Sequence, residues 1–363
     1  MSINANPGWP AIVAATLNRL APLDIFKGAT IVLMIVSSYH GNLAFAPPSL
    51  VQSFTCGWHI ADLVVPFFLW AVGMSVPMSI AARRERGSDD AKLLKHILTR
   101  SAALYAIGLA LDNMPCIGTA DFGACVAEPK LFGIFQRIAV AYAAGASIVL
   151  LVGWRIQVGV LAGTMLIYQL AILPELIVPP CDEAFRRDFS TSMPAACYVL
   201  AGALTSRLAC IAAKGTGQRR LFAVSALMLA GAYVLEPTMP LLYQRLNLPF
   251  FLLSCGLAGL ALWVVSAMPG TQPPTHVWKP FAAAGMNPLT VYVISATLYT
   301  AGHKIGFHSA EDGWASAWET AWRLLTTATG SSVAGSLLVS LLLVAVAMGV
   351  AWLMALWGLV IRV

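Results

Sequence analysis

Charge is what this sequence has least of. Asp, Glu, Lys and Arg make up 10% of its 363 residues, against about a quarter in a soluble domain, which excludes a water-soluble globular chain. Its seven cysteines contain no C-x-x-C pair, so the usual metal frameworks are absent and no metal is expected. It also lacks a basic module interleaved with aromatics, and no nucleic-acid partner is expected. Residues Met1–Pro22 hold no basic stretch ahead of an apolar core, so no cleavable signal peptide is expected there. Residues 9–20 are expected to lie along a membrane interface as a short amphipathic helix instead.

What is present is apolar length. The chain is 59% hydrophobic, with a mean hydropathy of +0.77. Runs of about 20 apolar residues span a bilayer as helices. Ten such segments can be drawn, at about 25–45, 61–82, 93–113, 131–153, 156–176, 191–213, 220–238, 247–268, 279–302 and 331–360. The expected fold is therefore all-α, a multi-pass bundle of about ten transmembrane helices in the lipid bilayer. A 1–22 interfacial segment precedes a single 23–363 transmembrane domain.

The net charge of +6 fits topology better than an anionic partner. With the N-terminus cytoplasmic, 15 Lys and Arg fall at cytoplasmic ends and loops and 6 on the opposite face, with Arg137 just inside the membrane. Cytoplasmic loops favour Lys and Arg, so both termini are expected in the cytoplasm. The longer loops then face outward. Cys56, Cys197, Cys210 and Cys255 lie in or beside apolar runs and read as small hydrophobes. Cys116 and Cys125 share one outer loop and Cys181 lies in another, leaving a disulfide among these three open if that face is oxidising. Broken helices in matching positions, the mark of many transporters, are not apparent.

Ionisable and amide groups inside a bilayer are costly and mark candidate sites. His59 and Asp62 stand three residues apart where the second run begins. A carboxylate beside an imidazole fixes its tautomer and builds a general base. Equally, Asp62 can simply cap the second helix. His40 follows the first run, near Ser38. Gln136 and Arg137 enter the fourth run, where a guanidinium suits a carboxylate, a phosphate or sugar hydroxyls. A pairing of Arg137 with Asp62 or Glu236 is the structural alternative. Lys27 and Arg100, with Asp24, lie toward the cytoplasmic ends, where they satisfy topology or attract an anionic cofactor. Gly285-Met286-Asn287-Pro288 interrupts an apolar run with a side-chain amide.

Several of these residues form an ordered series. Leu23-Asp24-x-Phe26-Lys27-Gly28, Gly57-Trp58-x-x-x-Asp62-Leu63-Val64-x-Pro66-Phe67-Phe68-Leu69, Gly133-x-x-Gln136-Arg137-Ile138-Ala139 and Gly285-Met286-Asn287-x-x-x-x-Tyr292 resemble the heparan-α-glucosaminide N-acetyltransferase family. With Gly73 and Arg100, the series covers about residues 23–295. The resemblance implies a transmembrane acetyltransferase that takes acetyl-CoA from the cytoplasm and acetylates a sugar amine or hydroxyl on the other face. It also implies residence in a bacterial inner membrane and a carbohydrate or lipid-linked sugar acceptor; a homo-oligomer stays open. Lys27 and Arg100 would meet CoA, and Gln136, Arg137, Asn287 and Ser38 the acceptor. The family's catalytic His falls here on Gln52, whose amide does not titrate. The catalytic role then passes to His59 or His40, with Asp62 and Gln52 assisting, or no general base is needed because an amine acceptor arrives neutral. Alternatively, the chain keeps the fold as a non-catalytic transporter or binding protein for a glycan or lipid.

Overall fold

The structure is a computed structural model and describes residues 21–53, 56–116, 133–177, 191–209, 216–271, 274–309 and 313–359. The interfacial helix expected over 9–20 lies outside these residues, as do Cys125, Cys181 and Cys210. Twelve α-helices and one two-stranded hairpin form among the described residues. In chain order they are α1 (Ala21–Ser38), α2 (Val64–Arg84), α3 (Asp90–Asn113), α4 (Ile134–Leu151), α5 (Trp154–Ile177) and α6 (Ser192–Ala209). Then come α7 (Thr216–Leu235), α8 (Leu248–Ala267), α9 (Lys279–Met286), α10 (Pro288–Lys304), α11 (Ala317–Thr329) and α12 (Ser332–Leu356). The hairpin pairs β1 (Gly306–Ser309) with β2 (Gly313–Ser316) antiparallel, between α10 and α11.

Among the described residues, six helical stretches are long and apolar enough to cross a membrane: Ala21–Ser38, Ile60–Arg84, Ile134–Leu151, Trp154–Ile172, Leu248–Ala267 and Ser332–Leu356. A seventh is the α9–α10 pair, bent by 90° at Asn287, the interruption that the Gly285–Pro288 stretch announces. Helix α3 is 24 residues long, but Asp90, Lys92, Lys95 and Arg100 crowd its first half and lower its hydropathy. Helix α11 differs. Trp318 and Trp322 point to the protein, where their indole nitrogens donate to the Tyr299 and Ser332 carbonyls. Glu319 and Arg323 form an exposed ion pair at 2.9 Å on its other side.

The core has two lobes. One gathers Leu69, Trp70, Met74, Tyr142, Tyr198, Phe250 and Phe251 from α2, α4, α6 and α8. The other gathers Ile31, Ile35, Tyr39, Val291, Leu343 and Ala347 from α1, α10 and α12. Phe68 packs against both. Two helix crossings bring backbones into contact. At the α1–α9 crossing, a Cβ on Gly28 would land on the Phe281 carbonyl and one on Gly285 on the Asp24 carbonyl. Gly73 and Gly202 make the matching approach between α2 and α6.

Candidate functional site

Helices α1 and α2 run antiparallel, so the bundle has two ends of different chemistry. One end holds the start of α1 and the close of α2. Lys27 there donates to Ser75 Oγ at 2.7 Å and lies 3.8 Å from Asp24. A cavity of about 140 Å³ opens beside it, lined by Lys27, Ser75, Arg83, His96, Arg100 and Tyr142. The Arg100 guanidinium rests on the Tyr142 ring, 5.1 Å from its centroid. Its Nε is buried without a hydrogen-bond partner among the described residues. Among the described residues no carboxylate lines the cavity, and its polar lining consists of cations, the His96 imidazole, hydroxyls and backbone at the α9–α10 bend. Asn287, buried at that bend, donates to the Leu359 carbonyl at the end of α12. Its neighbours Met286 and Pro288 line the cavity, which puts Asn287 with Lys27 and Arg100 and away from His59.

The other end is the loop between α1 and α2. Asp62 is fully buried; its carboxylate accepts from the Ser53 amide at 3.0 Å and the His59 amide at 2.7 Å. Asp62 is thus not itself the cap of α2 that the sequence also allowed: His59 is the N-cap of the short turn Ile60–Leu63, and a carboxylate three residues past an N-cap reaches back to that residue's N–H. The His59 imidazole turns elsewhere: Nδ1 donates to the Val51 carbonyl at 2.7 Å. Gln52, half-buried, follows that carbonyl directly. The α7–α8 connection pins the loop from outside. Gly57 donates to Leu241 at 3.0 Å, and buried Gln244 donates to the Ser53 carbonyl. Asn247 in turn holds that connection through Leu242 and Pro240.

His40 stands in the turn after α1, 4% exposed. Ser38 beside it is exposed. The structure brings His40, His59, Gln52 and Asp62 to one end, on or bordering the same loop. Gln136 is buried and donates to Asp112 at 2.9 Å; Arg137 follows it, half-buried. Asp112 escaped notice in the sequence, although a carboxylate closing the third apolar run was its signal. It acts on Tyr39 and Tyr292, whose ring centroids lie 6.0 Å apart. Cys56, expected as a small hydrophobe, is disulfide-bonded, as is Cys116. Cys197 and Cys255 are free and buried, as expected. Among the described residues no cluster of His, Cys, Asp or Glu is placed to hold a metal.

Asp62 gives the first testable consequence. Asp62→Ala removes a buried acceptor from two backbone amides, and charge-assisted bonds contribute about 1.5–3 kcal/mol each. A loss of about 3 kcal/mol is expected in denaturant unfolding, with Asp62→Asn intermediate.

A helical membrane protein with a cationic cavity at one end and a closed polar loop at the other is the class these features define. The family model described as heparan-alpha-glucosaminide N-acetyltransferase, catalytic, matches residues 19–236, and the chain belongs to that family. The heparan-alpha-glucosaminide N-acetyltransferase of Mus musculus is 31% identical over 134 residues, covering 37% of this chain and 19% of the relative. That of Homo sapiens is 30% identical over 125 residues, covering 34% of this chain and 18% of the relative. The match therefore spans about a fifth of the length of these relatives. The matched region holds both the loop and most of the cavity, while Gln244, Asn247, α10 and α12 lie beyond it.

Proposed function

We propose that this protein is a membrane-embedded acyltransferase that moves an acetyl group from cytoplasmic acetyl-CoA to a sugar amine or hydroxyl on the periplasmic face. The carrying observation is the cavity: cations, an imidazole and hydroxyls, with no lining carboxylate among the described residues and with the orphaned buried Arg100 Nε, suit phosphate oxygens, which only accept hydrogen bonds. The fit is to an end of the coenzyme, since 140 Å³ is far less than the whole molecule. Lys27 and Arg100 bind phosphate, with Arg83 and His96 beside them. Asn287 fixes the bend that floors the cavity.

From Lys27 to the end of α1 at Ser38 is eleven helical steps, about 16 Å. An extended pantetheine arm follows this path past Phe68 toward the Gln52–Asp62 loop. There Gln52 donates to the developing oxyanion and a histidine takes the acceptor's proton. Asp62 holds the loop in shape, while Gln136, Arg137 and Ser38 meet the sugar. Ten spans with both termini cytoplasmic are part of this proposal; they would put the disulfides of Cys56 and Cys116 on the outer side, which suits an oxidising compartment such as the periplasm of an inner-membrane protein.

A second reading has one observation in its favour. Gln52 replaces a titrating group at the position the family resemblance assigns to catalysis, so the chain would bind or move a glycan or lipid without acetylating it. Detergent-solubilised protein with acetyl-CoA and glucosamine separates the two. Release of free CoA thiol with formation of acetylated sugar is expected. Binding of CoA without thiol release would favour the non-catalytic reading.

A further inference from the structure

We infer that His40 is the catalytic proton acceptor of the acyl transfer, an inference that rests on the function proposed above and names the base within it.

The turn that carries His40 is fixed on every side. Ser340 Oγ donates to the Tyr39 carbonyl, and Tyr299 Oη donates to the His40 carbonyl at 3.1 Å. The Gly41 amide donates to the Ser336 carbonyl at 3.4 Å. Asn42 both donates to Ser336 Oγ at 3.1 Å and accepts from it at 2.9 Å. A Cβ on Gly41 would meet the Val339 side chain at 2.8 Å, so α12 approaches closely here. Four consecutive residues thus have backbone groups held by α10 and α12.

The imidazole alone is left over. The Ser37 and Leu50 backbones lie near enough to act on the titration of the ring, yet neither meets a ring nitrogen in hydrogen-bonding geometry, and both nitrogens are buried without a hydrogen bond among the described residues. An unmatched buried imidazole costs stability, and its retention in so rigid a turn points to a ligand that completes it. His59 contrasts on each count, being half-buried with Nδ1 committed to Val51. The two histidines lie near adjacent residues, Leu50 and Val51, directly before Gln52. His40 therefore reaches the same segment as Gln52 from the α1 side.

Burial holds the His40 imidazole below the ordinary histidine range, so it stands neutral at physiological pH and ready to accept a proton. The titratable side chains packed round the turn are Tyr39 within it and Tyr299 on α10; α12 meets it with Ser336 and Ser340. In the step itself, the neutral amine nitrogen or hydroxyl oxygen bonds to the acetyl carbonyl carbon while His40 takes its proton. The carbon–sulfur bond then breaks, and the imidazolium returns that proton to the departing CoA thiolate. The products are the acetylated acceptor and free thiol, with neutral His40 restored.

His40→Gln removes the titrating group and keeps a hydrogen-bonding side chain. With acetyl-CoA and glucosamine as probes, kcat is expected to fall at least about 100-fold, in the range of general-base losses. The KM for acetyl-CoA and the thermal shift given by CoA should stay at wild-type values. The exposed His276→Gln serves as the control and should match wild type. If His40→Gln folds poorly, His40→Gly with added imidazole decides, restored turnover supporting the assignment and no restoration overturning it. An active wild type with His40→Gln within about threefold of it overturns the histidine alone. A wild type that transfers nothing overturns the acyl-transfer function, and this inference with it.

Discussion

Gly285→Val is expected to separate α1 from α9 and to abolish CoA binding. The side chain has no room: its Cβ would fall on the Asp24 backbone carbonyl, and Gly28 presses equally on the Phe281 carbonyl from the other helix. Neither obstacle is a flexible side chain that can swing away. Overpacking typically costs 1–3 kcal/mol, and a clash between two backbones belongs at about 3 kcal/mol or above. Gly285, Lys27 and Met286 all line the cavity, so moving one helix moves its donors out of register. Loss of thermal stability in detergent together with loss of any CoA-induced shift is the expected pair. Gly349→Ala is the comparison, because nothing lies within 4 Å of a Cβ there. Replacing that mid-helix glycine should stabilise slightly, by about 0.5–1 kcal/mol.

The second large effect is on the donor. Lys27→Met and Arg100→Met each remove a cation from the cavity wall while keeping much of its apolar bulk. A hydrogen bond to a charged group is worth about 1.5–3 kcal/mol, so each variant should bind CoA about 10- to 150-fold more weakly by titration calorimetry. Lys27→Met also strips Ser75 and Asp24 of their partner and should lower thermal stability, whereas Arg100→Met relieves a buried unpaired Nε and should not. Arg323→Met, removing an exposed cation on α11, should leave CoA affinity unchanged.

Much of the helical frame was legible because apolar runs and their caps coincide. Asp89 accepts from Lys92 N and starts α3, and Asn247 accepts from Phe250 N and starts α8, close to where the hydropathy alone begins each segment. Pro288 marked the bend. Two features were not legible. Helix α11 hides in what reads as a polar outer loop, since it turns half-buried tryptophans inward at an interval of four rather than presenting an unbroken apolar run. The first segment, drawn to residue 45, ends at Ser38 because the next turn is fixed from α12, nearly 300 residues away in sequence.

At the candidate site the sequence located the loop but could not choose its bonding. His59 and Asp62 at a spacing of three read as either an imidazole–carboxylate pair or an Asp62 cap on the second helix; the backbone path instead makes His59 the N-cap and Asp62 its reciprocal partner. The extended His59, with φ −115° and ψ 165°, presents its amide to Asp62 and its ring to Val51. The loneliness of the His40 ring was equally out of reach, being defined by what the distant α10 and α12 do to its backbone. Asp112 needed Gln136 beside it to be noticed. Cys56 sits beside apolar residues in sequence, and its disulfide depends on tertiary contact alone.

The most direct measurement is transfer across a sealed vesicle. Protein is reconstituted in one orientation, acetyl-CoA is supplied on one side only, and glucosamine on the other. Acetylated sugar should accumulate on the glucosamine side only when acetyl-CoA meets the face bearing Lys27, Arg83 and Arg100. Acetylation that requires donor and acceptor on the same side, or acetyl-CoA consumed from the face of the Gln52–Asp62 loop, would contradict a transfer path running through the bundle from cavity to loop.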